Sequence, residues 1–203
     1  MMSISACSPG GQDVMPPLSY TGNVTFHDNR TADLYWQLGQ QLSAEAPTPE
    51  SNPQDGIIGA ITVSTINSAV RSAHPGDYTF TYGKALQAVF MTSLRDALIE
   101  QHAFKQVNLI TDLHDAKTQN VLITINFKET HVADTMTGWC IVLDVVLTIK
   151  SANQTLFTRT YLVQSTDPGF FSPKSFKQQQ TDVSQKLLNN IMNGIAQWEK
   201  QRY

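Results

Sequence analysis

Few residues of this chain have the type and spacing that catalysis requires. His27 and Asp28 are adjacent and could form an acid–base pair, and Asp28 with Arg30 could bind an anion. The same carboxylate can instead cap the turn predicted at Asp28-Asn29-Arg30, because aspartate side chains accept hydrogen bonds from backbone amides in turns. No Gly-x-Ser-x-Gly motif supports a serine–histidine–aspartate set. The sequence therefore predicts no catalytic residues and a protein that is not an enzyme.

Metal and nucleotide sites lack support in the same way. On a strand, Glu129 and His131 would share one face and could bind a metal ion with His114 or Asp134. A zinc site needs three or four converging ligands, and the spacing identifies no others. Glycine-rich phosphate loops are missing, because Gly83-Lys84 has no loop pattern before it. We expect neither a metal nor a cofactor other than a covalent lipid.

That lipid is expected on Cys7. The stretch Ile4-Ser5-Ala6-Cys7 resembles a bacterial lipobox, in which small residues precede the cysteine that a signal peptidase exposes and that is then acylated. Residues 1–6 are too few for the charged region and the roughly 7 to 15 apolar residues of a signal peptide. We interpret them as the remnant of a longer signal peptide with a mis-assigned start. The alternative is that Met1 is the true start and Cys7 an ordinary thiol.

The residues after Cys7 predict a tether and a location. Residues 8–17 are rich in proline, glycine and polar side chains, a composition typical of flexible linkers. Residues 7–20 are therefore interpreted as the acylated cysteine and its tether, and residues 21–203 as one domain. Ser8 stands where an aspartate would retain such a lipoprotein at the inner membrane. This favours the outer membrane, with a lipid-anchored domain that faces the periplasm.

The composition is that of a folded protein without a nucleic-acid partner. Of the 203 residues, 41% are hydrophobic and 15% are charged, which favours a packed core over disorder. The net charge of -3 includes no basic block, so the sequence lacks the positive surface that binds phosphates. No apolar run approaches the roughly 18 residues of a membrane-spanning helix.

Hydrophobic periodicity predicts strands and helices within the domain. Alternating or β-branched patterns predict strands, and apolar residues at i, i+3 and i+4 predict helices. Three prolines within residues 43–56 predict a surface loop. In order, we predict a strand at 24–27, one or two helical turns within 34–42, a strand at 57–66, an amphipathic helix from 84 to 98, strands at 105–110, 121–132, 139–151 and 155–164, and a helix of about 25 residues that enters at Ser172-Pro173.

The long strands have one apolar face and one polar or mixed face. On the first of them the apolar residues are Val121, Ile123, Ile125 and Phe127. The residues between them form a polar row, Thr124, Asn126, Lys128 and Thr130. The apolar face of the sheet can pack against the apolar stripes of the two predicted helices. The predicted fold class is therefore α+β, a two-layer sandwich with an antiparallel or mixed sheet of about four or five strands and two amphipathic helices on one face.

The order of these elements resembles the YajG-type lipoproteins of the bacterial outer membrane. The similar stretches are 24–30 with its Asp-x-Arg end, 86–104, 155–161, 171–173 and 185–198. The proline-rich segment 43–56 departs from the pattern. Related lipoprotein domains are accessory parts of envelope machines, such as transport systems, lipid or lipopolysaccharide handling, and secretion-system rings. The resemblance implies a periplasm-facing scaffold or assembly factor.

The predicted function is contact with other envelope proteins. We expect a structural subunit of a secretion system with a type IV-like core, or of a transport machine, in one or several copies. The expected partner-binding residues are Thr124, Asn126, Lys128, Thr130 and Tyr203, and a sheet edge could accept a partner strand. The alternative is a lipid- or lipopolysaccharide-handling protein, which a cavity of a few hundred Å³ between helices and sheet would favour. Its acyl groove would be lined by Phe90, Leu94, Leu143 and Leu187.

Overall fold

The computed structural model describes residues 15–22, 26, 29–38, 75–135, 138–152, 154–166 and 176–201. Within these ranges it describes the backbone alone at residues 75–85, 88, 129–135, 138–139 and 176. Several predictions lie outside the described residues: lipidation at Cys7, the strand at 24–27 apart from Phe26, the loop 43–56, the strand at 57–66, the helix entry at Ser172-Pro173, and Tyr203.

The described chain forms one mixed sheet and two long helices. The strands are β1 (Thr31–Leu38), β2 (Gln106–Ile110), β3 (Val121–Thr135), β4 (Gly138–Ser151) and β5 (Gln154–Gln164). The helices are α1 (Pro75–Glu100) and α2 (Phe176–Lys200), and a 3₁₀ turn spans Leu113–Asp115. This arrangement confirms the α+β fold class. The five later predicted elements, from the strand at 105–110 to the 25-residue helix, are present with bounds that differ by a few residues.

The strand order is β2-β1-β3-β4-β5. β3, β4 and β5 form the expected antiparallel meander. β1 lies between β2 and β3 and runs parallel to both. A parallel neighbour requires a crossover connection, and α1 lies in the connection between β1 and β2.

The prediction of helical turns within 34–42 was wrong for residues 34–38, which belong to β1. Ala32, Leu34 and Trp36 alternate at period two and are buried on one side of the strand. Both backbone edges of β1 pair with neighbours that come more than 65 residues later in the chain. Sheet pairing at that distance overrides the weak local pattern of so short a segment.

The core fills the space between the helices and one sheet face. Trp36 is at its centre, with its ring centroid 5.7 Å from those of Phe90 and Phe127. Trp198 is 3% exposed and stacks on Phe104, which confirms that it continues the apolar stripe of α2. Each fully buried leucine or phenylalanine contributes about 1.5–3 kcal/mol relative to an exposed one. The helices supply Leu86, Phe90, Leu94, Leu98, Val183, Leu187, Leu188, Ile191 and Ile195.

Residues 18–21, here called the N-terminal strap, lie along the two helices. The backbone amide of Leu18 donates to Ser93 Oγ of α1 at 3.0 Å, and Leu18 is itself 6% exposed. Gln185 of α2 exchanges two hydrogen bonds with the Ser19 backbone, at 3.2 and 2.5 Å. Asn189 bonds the Thr21 amide and hydroxyl. The folded unit therefore includes residues that the sequence analysis assigned to the tether, and Leu18 belongs to the core.

Ser93→Ala is expected to release the strap. The substitution leaves the buried Leu18 amide without an acceptor, at a local cost of about 1–3 kcal/mol. Amide hydrogen exchange of Leu18 should therefore accelerate by roughly 5- to 100-fold. Asn189→Ala removes exposed hydrogen bonds of the same strap and should change the Leu18 rate less. Equal Leu18 protection in wild type and Ser93→Ala would contradict this account.

Candidate functional site

The sheet face that points away from the helices is a surface that the core does not use. Its side chains alternate with the buried ones on each strand. We call it the outer sheet face. Its described members include Tyr35 and Gln37 on β1, Leu122, Thr124, Asn126 and Lys128 on β3, Asp144, Val146, Thr148 and Lys150 on β4, and Leu156, Thr158, Thr160 and Leu162 on β5.

Threonines form a row across this face. Thr124 pairs with Thr148, and Thr148 pairs with Thr158, so three neighbouring strands present hydroxyls side by side. Tyr35 continues the row onto β1. Such cross-strand threonine pairs fit a half-buried pleated surface and can donate or accept hydrogen bonds. The row gives the face a polar centre.

The structure places three predicted partner-binding residues together on this face. Thr124 and Asn126 are half-buried, and Lys128 is exposed at the site of a register shift between β3 and β4. The side chain of Thr130 lies outside the described part, as does Tyr203. The alternation of polar and apolar residues in β3 was sufficient to find the three described positions.

Two buried oxygens of the outer sheet face have no hydrogen-bond donor. They are Asn126 Oδ1 and Asp144 Oδ1. Asn126 pairs with Val146, so Asp144 is its diagonal neighbour two residues along β4. A buried acceptor without a donor costs about 1–3 kcal/mol. Sequence reasoning passed over Asp144, although an acidic residue inside the apolar run of β4 was the available signal.

The face ends at β5, whose exposed residues are partly apolar. Leu162 is 71% exposed and Leu156 is 37% exposed. On the opposite side of the strand, Tyr161 packs into the core with its hydroxyl unpartnered. Burial raises the pKa of Tyr161 to about 12, and the nearby Arg159 charge opposes that shift. Burial also raises the pKa of Tyr20, in the strap.

A second candidate is a polar pocket of about 420 Å³ at the start of β1 and β2. It lies on the side of the sheet away from the helices, between the strands β1 and β2 and the connection from β2 to β3. Its volume is in the lower range of small-molecule sites. The lining residues are Thr31, Asp33, Gln106, Asn108, Ile110, Asp115, Lys117, Gln119 and Asn120.

Asp33 organises this pocket although it is only 1% exposed. Its Oδ1 accepts hydrogen bonds from Asn108 Nδ2 at 2.8 Å and Asn120 Nδ2 at 2.9 Å, and its Oδ2 accepts from the Lys117 amide at 2.8 Å. Gln106 in turn donates to Asn108 Oδ1 at 2.8 Å. The carboxylate therefore attaches the β2–β3 connection to the sheet. With three donors already bound, it is built for positioning and not for proton transfer.

The residues proposed for an acyl groove form part of the filled core. Phe90, Leu94, Leu143 and Leu187 are each 0% exposed. The 420 Å³ pocket lies on the other side of the sheet and has a polar lining. The space between helices and sheet is therefore occupied by side chains at these four positions, which argues against an acyl chain there.

The metal and thiol candidates can be placed only in part. Among the described residues, no group of three or more histidine, cysteine, aspartate or glutamate side chains could hold a metal ion. The side chains of Glu129 and His131 are not described, and His114 is exposed in the 3₁₀ turn. Cys140 is fully buried in β4, and its sulfur accepts from Gln164 Nε2 at 2.8 Å. In the described part of the chain, neither helix has the length and apolarity to span a bilayer.

Comparisons with known proteins identify no family for the chain. No family model matches it, and no curated protein matches it. Among solved structures, it is similar to a Xanthomonas campestris protein of family DUF330, at 11% identity over 92% of this chain and 96% of that one, with a TM-score of 0.46. An uncharacterized protein matches at 8% identity, 90% and 98% coverage and a TM-score of 0.45. A hypothetical protein of Chlamydia trachomatis matches at 10% identity, 86% and 99% coverage and a TM-score of 0.38. The YajG-type resemblance therefore stays a prediction.

Proposed function

We propose that this protein is a non-enzymatic outer-membrane lipoprotein that works in the periplasm as a structural or assembly subunit of a cell-envelope complex. A secretion-system core of the type IV-like kind, or a transport machine, fits this role. The observation that carries the proposal is the outer sheet face, which combines a threonine row with two buried oxygens that lack donors.

This face is suited to bind a protein surface. Hydroxyls and amides offer hydrogen bonds, Lys128 adds one exposed positive charge, and Leu162 adds an apolar contact at the rim. Hydrogen-bonding side chains spread over four neighbouring strands favour a protein partner over a small ligand, which prefers a concave site.

The proposed anchor fits the position of the strap. If Cys7 carries the lipid, ten residues and eleven Cα–Cα steps separate it from Leu18, which is held against the helices. A fully extended chain of that length spans at most about 40 Å. The N-terminal end of the folded domain would then stay within about 40 Å of the membrane surface.

A pull-down from native envelopes in mild detergent tests the proposal. Wild type should co-purify discrete envelope proteins, identified by mass spectrometry. Lys128→Glu should reduce their recovery by about tenfold, because reversing a charge within a contact surface costs on the order of 1.4 kcal/mol or more. Cys7→Ser should release the protein from the membrane fraction, and the released protein should no longer co-purify with the same partners.

Lys105→Glu is the matched control, because Lys105 is also exposed but lies before β2 and off the outer sheet face. It should leave partner recovery unchanged. If the wild-type protein co-purifies with no partner, the outer sheet face is not a binding surface for envelope proteins. Equal recovery of partners with Lys128→Glu and Lys105→Glu would argue against this face in the same way. A soluble wild-type protein that Cys7→Ser does not alter would argue against the anchor.

A further inference from the structure

The polar pocket at the start of β1 and β2 is a cavity that the proposed envelope contacts do not use. Its volume of about 420 Å³ is at the lower end of the range of small-molecule sites. Within the described part of the chain, Ile110 is the one apolar residue of its lining, and no aromatic ring contributes. The pocket therefore offers no surface on which a nucleobase or a sugar ring could stack, and little for an acyl chain. Its occupant must be small and polar.

Asp33 fixes the direction of the amide side chains in this pocket. A carboxylate only accepts hydrogen bonds, so Asn108 and Asn120 both turn their NH₂ groups toward it, at 2.8 and 2.9 Å. Asn108 then presents its oxygen to Gln106, which donates to it at 2.8 Å. Among the described residues, none donates to the side-chain oxygen of Gln106 or of Asn120, although Asn120 is only 7% exposed. The network thus leaves two oriented amide oxygens as acceptors for a ligand.

Two exposed residues of opposite charge, Asp115 and Lys117, complete the lining. Within the described chain, neither the carboxylate of Asp115 nor the ammonium group of Lys117 is in an ion pair or hydrogen bond. Together with Asp33, the lining holds two negative charges and one positive charge. Charge-assisted hydrogen bonds are roughly twice as strong as neutral ones. The pocket therefore suits a ligand that has an ammonium group and also an anionic group for Lys117.

We propose that this pocket binds a small zwitterion, a free α-amino acid or a dipeptide. An ammonium group has three donors, and the side-chain oxygens of Gln106 and Asn120 with the Asp115 carboxylate supply an acceptor for each. The carboxylate of the same ligand pairs with Lys117. Since little apolar surface is buried, we expect weak binding, with a Kd of about 1 mM. This inference depends on neither the anchor nor the proposed envelope partners.

Titration of the full chain with L-alanyl-L-alanine, to about 20 mM and followed by ¹H–¹⁵N NMR, tests the site. The side-chain NH₂ signals of Asn108 and Asn120 and the backbone amide of Lys117 should shift and saturate. The N-acetylated dipeptide lacks the ammonium group and the C-amidated dipeptide lacks the carboxylate. Each should bind at least about tenfold more weakly than the free dipeptide, because each loses one charge-assisted contact. L-alanine in the same titration shows whether a single amino acid suffices or the second residue adds affinity.

Charge-neutralising variants test the assignment of the two ends of the ligand. Asp115→Asn and Lys117→Gln should each weaken dipeptide binding by about tenfold, and both should fold, because the two side chains are exposed and the Lys117 amide that binds Asp33 is retained. Glu100→Gln and Lys105→Gln are the matched controls, since both residues are exposed and neither lines the pocket. These controls should bind the dipeptide like wild type.

Three results would overturn the proposal. The first is a spectrum that does not change at 20 mM free dipeptide or alanine. The second is equal binding of the free and the capped dipeptides, which would show that the charges of the ligand are not recognised. The third is equal binding by Lys117→Gln and Lys105→Gln, which would place the contact outside this pocket.

Discussion

Replacing Asp33 with alanine is expected to lower the free energy of unfolding by about 2–4 kcal/mol. Three donors converge on this carboxylate, from the side chains of Asn108 and Asn120 and from the Lys117 backbone. Alanine would leave all three without their acceptor. Water from the adjoining pocket can satisfy some of them, which keeps the expected loss below the sum of three buried hydrogen bonds.

Urea denaturation followed by tryptophan fluorescence measures this loss. Asp115→Ala is the matched control, because Asp115 lines the same pocket with an exposed carboxylate. Its substitution should stay within about 0.5 kcal/mol of wild type. Hydrogen exchange of the Lys117 amide should increase in Asp33→Ala alone. If the two alanine variants are equally stable, Asp33 does not hold the β2–β3 connection as described.

Gly194→Ala is expected to destabilise the protein by about 1–3 kcal/mol, although alanine is the better helix former by about 1 kcal/mol. Gly194 lies in α2 directly over β5. A methyl group there would overlap the Tyr161 hydroxyl oxygen, and it would lie 3.2 Å from Tyr161 Cζ and 3.3 Å from Leu147 Cδ2. The absence of a side chain at residue 194 is what lets the helix approach the sheet so closely.

A double-mutant cycle with Tyr161→Phe checks this cause. The Tyr161 hydroxyl has no hydrogen-bond partner, so its removal alone should be close to neutral or stabilising. In the Tyr161→Phe background the Gly194→Ala loss should shrink by about 1 kcal/mol or more, because the worst overlap disappears. The 3.2 Å contact to the ring carbon persists, so recovery should be partial. If Gly194→Ala lowers the free energy of unfolding equally in both backgrounds, overlap with the Tyr161 hydroxyl is not the cause of the loss.

Local sequence patterns were informative where neighbours in space are also neighbours along the chain. The strands β3, β4 and β5 alternate and α1 and α2 carry apolar stripes, so the type of each element could be read directly. The start of α1 could not, since the helix begins at Pro75, nine residues before the predicted start at 84. The positions of Thr124 and Asn126 followed from the same alternation, because a strand residue that does not face the helices must face the other way. The alternation ends at the register shift after Phe127, beyond which Thr130 pairs with the core residue Leu143. These features required no knowledge of distant partners.

Features that depend on distant pairing could not be read in this way. β1 is a short segment whose strand conformation depends on parallel neighbours far along the chain. The sequence analysis assigned no role to Asp33, because its partners Asn108 and Asn120 are 75 and 87 positions away. The strap was interpreted as linker for the same reason, since Gln185 and Asn189 follow Ser19 and Thr21 by more than 160 residues. A local pattern carries no information about such pairs.

The interior position of β1, between β2 and β3, also sets an order of folding events. The ribosome makes both neighbours of β1 after β1 itself. During synthesis β1 therefore lacks its β3 partner until residues 121–127 have been added. At about 5–20 residues per second, that delay is roughly 5–20 s. Once made, the meander and α2 can collapse through local contacts, whereas insertion of β1 must close a long loop and is intrinsically slow. Until then its apolar residues are exposed, and a chaperone that recognises short extended apolar segments would find its binding site there.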